Sequence, residues 1–149
     1  MVIKMNIKNE FKLSFDSRSV NESFCRLVVA AFVTPLDPTI EELTDLKTAV
    51  SEAVTNCIVH AYSESCGKIY ITGQILDDDF VKIKIKDKGM GIEDVSKAMT
   101  PLYTTGSSDR SGLGFTVMQS FCDRVNVVSS LGSGTTVVLV KKINGRNKW

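Results

Sequence analysis

The sequence has few of the residues that build metal clusters or disulfide frameworks. It contains one histidine and four cysteines, and no two cysteines have the C-x-x-C spacing of a zinc ligand pair. Three of the four, Cys25, Cys57 and Cys122, lie in apolar helical patterns, whereas Cys66 does not. We therefore expect reduced thiols, mostly in the core, rather than a zinc site or disulfide bonds.

Three further absences narrow the class of function. No apolar run approaches the length that spans a bilayer, and the N-terminus lacks the apolar segment of a signal peptide, so we expect a cytoplasmic protein. Lys and Arg nearly cancel Asp and Glu and leave a formal net charge of +1, a balance that suggests neither a nucleic-acid nor a membrane partner. No linker or repeat divides the chain, so we expect one domain over 1–149.

The spacing of apolar residues predicts the order of strands and helices. Alternation with a period of two indicates strands in FKLSF, KIYITGQIL, FVKIKIK, RVNVVSS and GTTVVLVKKI. Helical spacing indicates helices in SVNESFCRLVVAAF, TIEELTDLKTAVSEAVTNCIVHAYSE and LGFTVMQSFC, with a short amphipathic piece in EDVSKAM. This order favours an α+β two-layer sandwich with the helices on one face of a mixed β-sheet.

The first two helices each begin with the pattern of a capping box. Ser19 stands three positions before Glu22, and Thr39 stands three positions before Glu42. On the first helix, Glu22 and Arg26 lie outside the predicted apolar stripe, so we expect both side chains to be exposed. That stripe consists of Phe24, Leu27, Val28, Ala31 and Phe32.

Glu52 and Asn56 are four residues apart on the second helix, so their side chains lie on one face. For an isolated pair, a solvated helix face is the ordinary interpretation. The other interpretation is a carboxylate that accepts a proton, one turn away from an amide oxygen that can bind a hard cation. His60 continues the same row towards the edge of the apolar stripe, where a structural role is favoured.

Asp87 ends a strand, and Gly89 and Gly91 follow it in KDKGMGI. D-x-G-x-G is a common turn. It also suits an adenine site, because a carboxylate only accepts hydrogen bonds and the amino group of adenine only donates them. Glycines at this point would let the backbone approach a planar ring.

Two other glycine-containing segments are weak evidence when each is taken alone. The first is SGLGF, Ser111 to Phe115, which begins a helix after a polar stretch, and the free N–H groups of a helix N-terminus attract phosphate oxygens. The second is GSGTT, in which Thr135 and Thr136 lead into the last strand. Hydroxyls at such positions most often serve a turn.

In their order along the chain, these four motifs resemble those of the Bergerat-type ATPases, which include gyrase, heat-shock chaperone ATPases, mismatch-repair ATPases and sensor histidine kinases. Nearly the whole chain is similar to the anti-sigma-factor serine kinases, through NESF, LDPT, ELTDLKTAVSEAVTN, PLYTT, RSGLGF and GTT. The similarity is greater to the sporulation members than to the stress-response members. Members of this family are small ATPase domains that dimerise, clamp a sigma factor and phosphorylate a serine on an anti-anti-sigma protein.

The resemblance implies a role for each motif residue in binding ATP or ADP with Mg²⁺. Glu52 would act as the general base for the serine hydroxyl, and Asn56 would bind Mg²⁺ together with the nucleotide. Glu22 and Arg26 would contact protein partners. The residues implied to surround the adenine are Asp87, Gly89, Gly91 and Thr136. The residues implied to cover and cradle the phosphates are Thr104, Thr105, Arg110, Ser111, Gly112, Leu113 and Gly114.

The sequence departs from the family pattern at one position. Gly106 stands where these proteins often have a lysine after two threonines, and Arg110 is the candidate to replace that lysine.

Two other functions compete with a kinase that also inhibits a sigma factor. A binding module could hold nucleotide and a partner without phosphotransfer, but such a module has no need of Glu52 beside a metal ligand. A sensor histidine kinase normally has a helical hairpin with the phosphoacceptor histidine before its ATPase domain. There is no room for that hairpin before residue 7, and the single histidine, His60, lies in the motif region.

The assignment of Asp87 predicts a preference for adenine over guanine. Guanine carries a carbonyl where adenine carries the amino group, so Asp87 would face a second acceptor, a mismatch of about 1–3 kcal/mol. We expect calorimetry to show that ATP and ADP bind well and GTP binds poorly, and that Asp87→Ala abolishes the difference. Equal affinities for ATP and GTP would contradict the assignment.

Overall fold

The computed structural model describes residues 5–63, 65–100 and 114–146. Its strands are β1 (Ile7–Asp16), β2 (Lys68–Leu76), β3 (Phe80–Asp87), β4 (Arg124–Ser130) and β5 (Gly134–Lys142). Its α-helices are α1 (Asn21–Val33), α2 (Ile40–Asn56), α3 (Val95–Ala98) and α4 (Gly114–Phe121). One turn of π-helix, Cys57–Ala61, extends α2.

The five strands form one sheet in the order β1-β2-β3-β5-β4. Helices α1 and α2 pack against one of its faces, so the predicted α+β two-layer fold is confirmed. The expected mixed sheet is wrong in one respect, because all four pairings between the described strands are antiparallel. The strands of the hairpins β2–β3 and β4–β5 must run antiparallel, because each pair is joined by a short connection. Strands β3 and β5 are distant in the sequence, and the spacing of apolar residues does not reveal whether two such strands run parallel or antiparallel.

The face of α1 that packs on the core differs from the predicted stripe. Cys25, Val29 and Val33, spaced four residues apart, are buried, whereas Phe24 and Leu27 are 47% and 67% exposed. Apolar residues occur on more than one face of this helix, so their spacing alone did not decide which row is inside. The prediction was wrong for Phe24 and Leu27.

One of the two predicted capping boxes is present. The Thr39 hydroxyl accepts from the Glu42 N–H, and the Glu42 carboxylate accepts from the Thr39 N–H, each at 3.0 Å. At α1 the N-cap residue is Val20, no side chain caps the helix, and the predicted role of Ser19 is wrong.

Glu42 also holds the C-terminal segment against α2. Its carboxylate accepts the N–H groups of Asn144 at 2.6 Å and of Gly145 at 3.1 Å. Burial raises the pKa of Glu42, but the hydrogen bonds from Thr39, Asn144 and Gly145 outweigh burial and leave the pKa below its ordinary value. None of the described helices has the length and apolar character needed to cross a bilayer.

The lowered pKa of Glu42 predicts a pH-dependent contribution to stability. A carboxylate whose pKa is lower in the folded state stabilises the fold above its unfolded pKa, near 4.5, and loses this contribution as the pH falls through the folded pKa. We expect Glu42→Gln to lower the free energy of unfolding in urea at neutral pH, and the difference from wild type to shrink below pH 4.5. Glu41→Gln, on the exposed side of the same turn, is the control and should change little. A Glu42 effect that does not change with pH would contradict this account.

Candidate functional site

Helix α2 and the start of α4 bring three of the predicted site residues together. Glu52 and Asn56 are half-buried on one side of α2, and α4 begins at Gly114. A Cβ added at Gly114 would lie 3.3 Å from Glu52 Oε2 and 3.4 Å from both Oδ1 and Nδ2 of Asn56. The first residue of α4 therefore lies directly against the carboxylate and the amide, and a side chain there would crowd them.

The π-helical turn at the end of α2 leads the chain to the end of β3. The Cys57 thiol points at Asp87 and donates to its Oδ2, with an S···O distance of 3.5 Å. At the other end of the turn, the Ala61 carbonyl accepts the N–H of Met90 at 3.1 Å. The extra residue of a π-helical turn thus fits α2 to the segment that follows β3, and such turns are frequent at functional sites.

Asp87 is only 4% exposed, and hydrogen bonds satisfy both of its oxygens. Oδ1 accepts the N–H groups of Gly89 at 3.0 Å and of Thr135 at 3.2 Å, and Oδ2 accepts from Cys57. Burial, together with the charge of Asp87, raises the pKa of the Cys57 thiol, which therefore stays protonated and remains a donor. The carboxylate is thus fixed in orientation before any ligand arrives.

The glycines after Asp87 serve the packing of the chain against itself. A Cβ at Gly89 would lie 2.3 Å from the Ala61 carbonyl oxygen, and one at Gly91 would lie 2.0 Å from that of Ser130. Gly91 also has a φ of 78°, which favours glycine. Close approach of neighbouring backbone is therefore a reason for these glycines that the sequence did not predict. Their contact with nucleotide stays a prediction.

Of the two threonines in GSGTT, the structure places Thr135 beside Asp87. Thr135 is buried, donates its N–H to Asp87, and has its hydroxyl 2.7 Å from that of Ser129. Thr136 pairs with Lys86, so its side chain lies on the opposite face of the sheet. Thr135, and not Thr136, therefore lies beside Asp87, because adjacent residues of a strand face opposite sides. The contact of Thr136 with adenine stays a prediction.

Glu22 links α1 to α2, and its predicted contact with protein partners stays a prediction. It is half-buried, its Oε1 accepts the hydroxyl of Ser51 at 2.5 Å, and its Oε2 accepts that of Thr55 at 3.0 Å. Ser51 and Thr55 immediately precede Glu52 and Asn56 in the sequence. Arg26 is also half-buried, and its guanidinium donates to Ser23 on its own helix at 3.3 Å.

The remaining predicted phosphate-binding residues lie outside the described part of the chain, and their roles stay predictions. They are Thr104, Thr105, Arg110, Ser111, Gly112 and Leu113, together with Gly106 at the position of the family's lysine.

The described residues contain no cluster of three or more His, Cys, Asp or Glu side chains that could hold a metal ion. In proteins Mg²⁺ commonly takes one or two oxygen ligands from side chains and the others from water and phosphate. The amide oxygen of Asn56, with the Glu52 carboxylate one turn away, is such a hard-donor pair.

Sequence reasoning missed Cys57 and Thr135 as partners of Asp87, and Ser51 and Thr55 as partners of Glu22. Thr135 could have been found from strand parity, because Asp87 must face the helices and its neighbour on β5 must share that face. No comparable signal existed for Cys57. Its position in an apolar helical pattern predicts an ordinary core residue, and the side chain is indeed buried.

The curated relatives of this chain match it over nearly their whole length. Residues 14–141 match the family model of the histidine kinase-like ATPase domain. The chain is 56% identical over 145 residues to the anti-sigma F factor of Caldanaerobacter subterraneus subsp. tengcongensis, covering 97% of this chain and 100% of that protein. It is 50% identical over 140 residues to the anti-sigma F factor of Bacillus subtilis, covering 93% and 95% of the two.

Solved structures extend the likeness of fold. The structure of the RsbU and RsbW domains of Rv1364c from Mycobacterium tuberculosis matches 95% of this chain and 35% of that chain, with a TM-score of 0.66 and 15% identity. A blue-light activated histidine kinase of Erythrobacter litoralis matches 72% of this chain and 32% of that chain, with a TM-score of 0.57 and 20% identity. At these identities the likeness concerns the fold alone.

The contacts of Glu22 predict that its substitution acts through the fold. Glu22→Ala leaves the partly buried Ser51 hydroxyl without its acceptor, whereas the Thr55 hydroxyl keeps the Ser51 carbonyl at 2.8 Å, so we expect the free energy of unfolding to fall by about 1–3 kcal/mol. Arg26→Ala, on the same helix, removes only a local exposed contact and should change it by about 0.5 kcal/mol or less. Urea denaturation of the two variants measures both values. Equal stabilities of Glu22→Ala and Arg26→Ala would contradict the structural role.

Proposed function

Because the chain belongs to the family of anti-sigma F factors and has the histidine kinase-like ATPase domain, we propose that it sequesters a sigma factor and is an ATP-dependent protein serine kinase. Its substrate would be a serine on an anti-anti-sigma protein. The observation that most supports this proposal is the meeting of Glu52, Asn56 and Gly114, which puts a carboxylate, an amide and a helix start at one point.

Glu52 would position the hydroxyl of the substrate serine and take its proton. Phosphoryl transfer depends mainly on positioning the reactants and on neutralising charge. One carboxylate at the attacking hydroxyl of the substrate serine is therefore sufficient at that end of the reaction. Glu52 is half-buried and adjoins α4, an environment that limits its motion.

Asn56 and the start of α4 would act on the phosphates. The Asn56 amide oxygen would hold Mg²⁺, which, when bound, neutralises the phosphate oxygens. Gly114 lacks a side chain where the phosphates must approach Glu52 and Asn56. The N–H groups at the N-terminus of α4 would add partial positive charge there.

Asp87 would bind the base of the nucleotide. Hydrogen bonds from protein fix the carboxylate, and Oδ2, with one thiol donor, retains acceptor capacity for the amino group of adenine. The base would thus be selected at the end of β3, and the phosphoryl group would be transferred between α2 and the start of α4.

The outer face of α1 is the proposed surface for the protein partners. Phe24 and Leu27 are exposed there, on the same helix as Arg26, and exposed apolar side chains beside an arginine are typical of interface centres. We include in the proposal a homodimer, as the family resemblance implies. Among the described strands β1 pairs only with β2, and the backbone groups along its other edge are ones that a second copy could use.

One experiment separates the kinase from a nucleotide-dependent binding module. The purified chain is incubated with Mg²⁺ and ATP labelled at the γ-phosphate, together with candidate anti-anti-sigma proteins, and the modified residue is identified by mass spectrometry. Label on a serine supports the proposal. Binding of ATP and of a sigma factor without any transfer of label would support the binding module instead.

The role of Glu52 predicts a loss of transfer without a loss of binding. We expect Glu52→Gln to keep its ATP affinity in calorimetry and to lower the rate of serine phosphorylation by about 10²-fold or more, the usual effect of removing a general base. Glu41→Gln removes a carboxylate from the exposed first turn of the same helix and should phosphorylate at the wild-type rate. Phosphorylation by Glu52→Gln at the wild-type rate would show that Glu52 is not the base.

A further inference from the structure

The face of the sheet opposite the helices carries a pattern of charge that the proposed function does not use. We call it the open face; in the described part of the chain no helix packs on it. Across it the register aligns Lys12 with Thr72, Lys84, Val138 and Asn126. The rows on either side contain Glu10, Gln74, Lys82, Val140 and Arg124, and Ser14, Tyr70, Lys86, Thr136 and Val128.

The centre of the open face is basic. Lys82, Lys84 and Lys86 alternate along β3, which separates successive side chains by about 6.6–6.8 Å. None of the three forms an ion pair with another residue among those that the structure describes. A chain of nearly zero net charge therefore concentrates unpaired positive charge on the middle strand of one face.

Acidic side chains on this face are confined to β1 and already have partners. Asp16 lies 2.6 Å from the Lys68 ammonium, and Glu10 accepts from Gln74 at 2.5 Å. These carboxylates therefore offset positive charge at the edge of the open face, whereas the positive charge of the β3 lysines has no acidic side chain beside it among the described residues.

An apolar strip adjoins the lysines. Val140 pairs with Lys82 and Val138 pairs with Lys84, so two half-buried valines lie beside the lysine row on β5. On β4, Val128 is 71% exposed. A ligand lying along the boundary between β3 and β5 would meet ammonium groups on one side and apolar side chains on the other.

We propose that the open face docks an acidic segment of a protein partner, with its carboxylates over the β3 lysines and its apolar side chains over the β5 and β4 valines. Opposite charges on the two surfaces would steer and orient the segment, and the valines would supply apolar contact. The surface lies on the side of the sheet away from Asp87 and α2, so this partner need not compete with nucleotide.

The same features disfavour other occupants. A second copy packed face to face would place lysine rows against each other, and like charges repel. Single-stranded nucleic acid needs aromatic platforms for its bases, but the described rows contain one aromatic ring, Tyr70, and the Lys88 ammonium already lies over it at 5.0 Å. Valines beside the lysines offer nothing to a phosphate backbone.

Two fluorescent peptides of equal length and charge, one of Glu and Leu and one of Glu and Ser, test the proposal by anisotropy at physiological ionic strength. We expect the Glu–Leu peptide to bind the wild-type chain more tightly. Lys82→Gln combined with Lys84→Gln and Lys86→Gln should weaken that binding about tenfold, as expected for three exposed ion pairs. Replacement of the same three lysines by Arg should preserve the binding, and added salt should weaken it.

The matched control removes the same charge from the connection before α1 and from helices α2 and α3, through Arg18→Gln, Lys47→Gln and Lys97→Gln, and should bind like wild type. A comparable loss in the control would reduce the effect to net charge and overturn the proposal. Equal binding of the two peptides would also overturn the proposal. The same holds if a single-stranded oligonucleotide or phosphatidylglycerol vesicles bind more tightly than the Glu–Leu peptide and that binding depends on the β3 lysines. Sedimentation of both triple variants completes the test, because a dimer altered only in the β3 variant would assign the face to a second copy.

Discussion

A carboxylate buried at the end of a central strand must have its oxygens satisfied, and the way Asp87 meets this requirement sets the geometry of the site. Backbone N–H groups from Gly89 and Thr135 reach one oxygen, and the Cys57 thiol reaches the other. The segment after β3 must therefore turn back tightly, β5 must begin beside it, and α2 must extend by a π-helical turn. Asp87→Ala removes this whole set of bonds, so a loss of nucleotide binding in that variant is interpretable only where the protein is shown to be folded.

The parts of the structure that could be predicted from the sequence are those in which local pattern and tertiary packing agree. The Thr39–Glu42 capping box and the row of Glu52 and Asn56 on α2 depend on spacing within one helix, and the structure has both. The strands were predicted for the same reason, because each has one buried and one exposed face. What could not be predicted depends on distant segments: the direction in which β3 meets β5, and which apolar row of α1 faces the core.

Thr136 and Glu22 lie in places that the sequence did not predict, for different physical reasons. Thr136 is one residue away from the position beside Asp87, and one residue along a strand separates the two faces of the sheet. Glu22 instead fits two local patterns, a capping box and an exposed helix face, and the structure uses it for neither. Its two oxygens find hydroxyls on α2 that only the packing of the helices brings near. Exposure inferred from one helix is unreliable where a second helix lies against it.

The link through Glu22 also connects the two surfaces that the proposed function assigns to α1 and α2. Phe24 and Leu27 extend from the outer face of α1, while Glu22 ties the inner side of that helix to the residues that directly precede Glu52 and Asn56. The proposed partner surface and the proposed phosphotransfer site are therefore separated by one layer of packed side chains. Fully buried residues such as Leu46 and Val50 pack α2 against the sheet. We therefore expect a partner bound to α1 to shift α2 little. Under the proposed function, Glu52 and Asn56 would thus keep their positions when a partner binds α1.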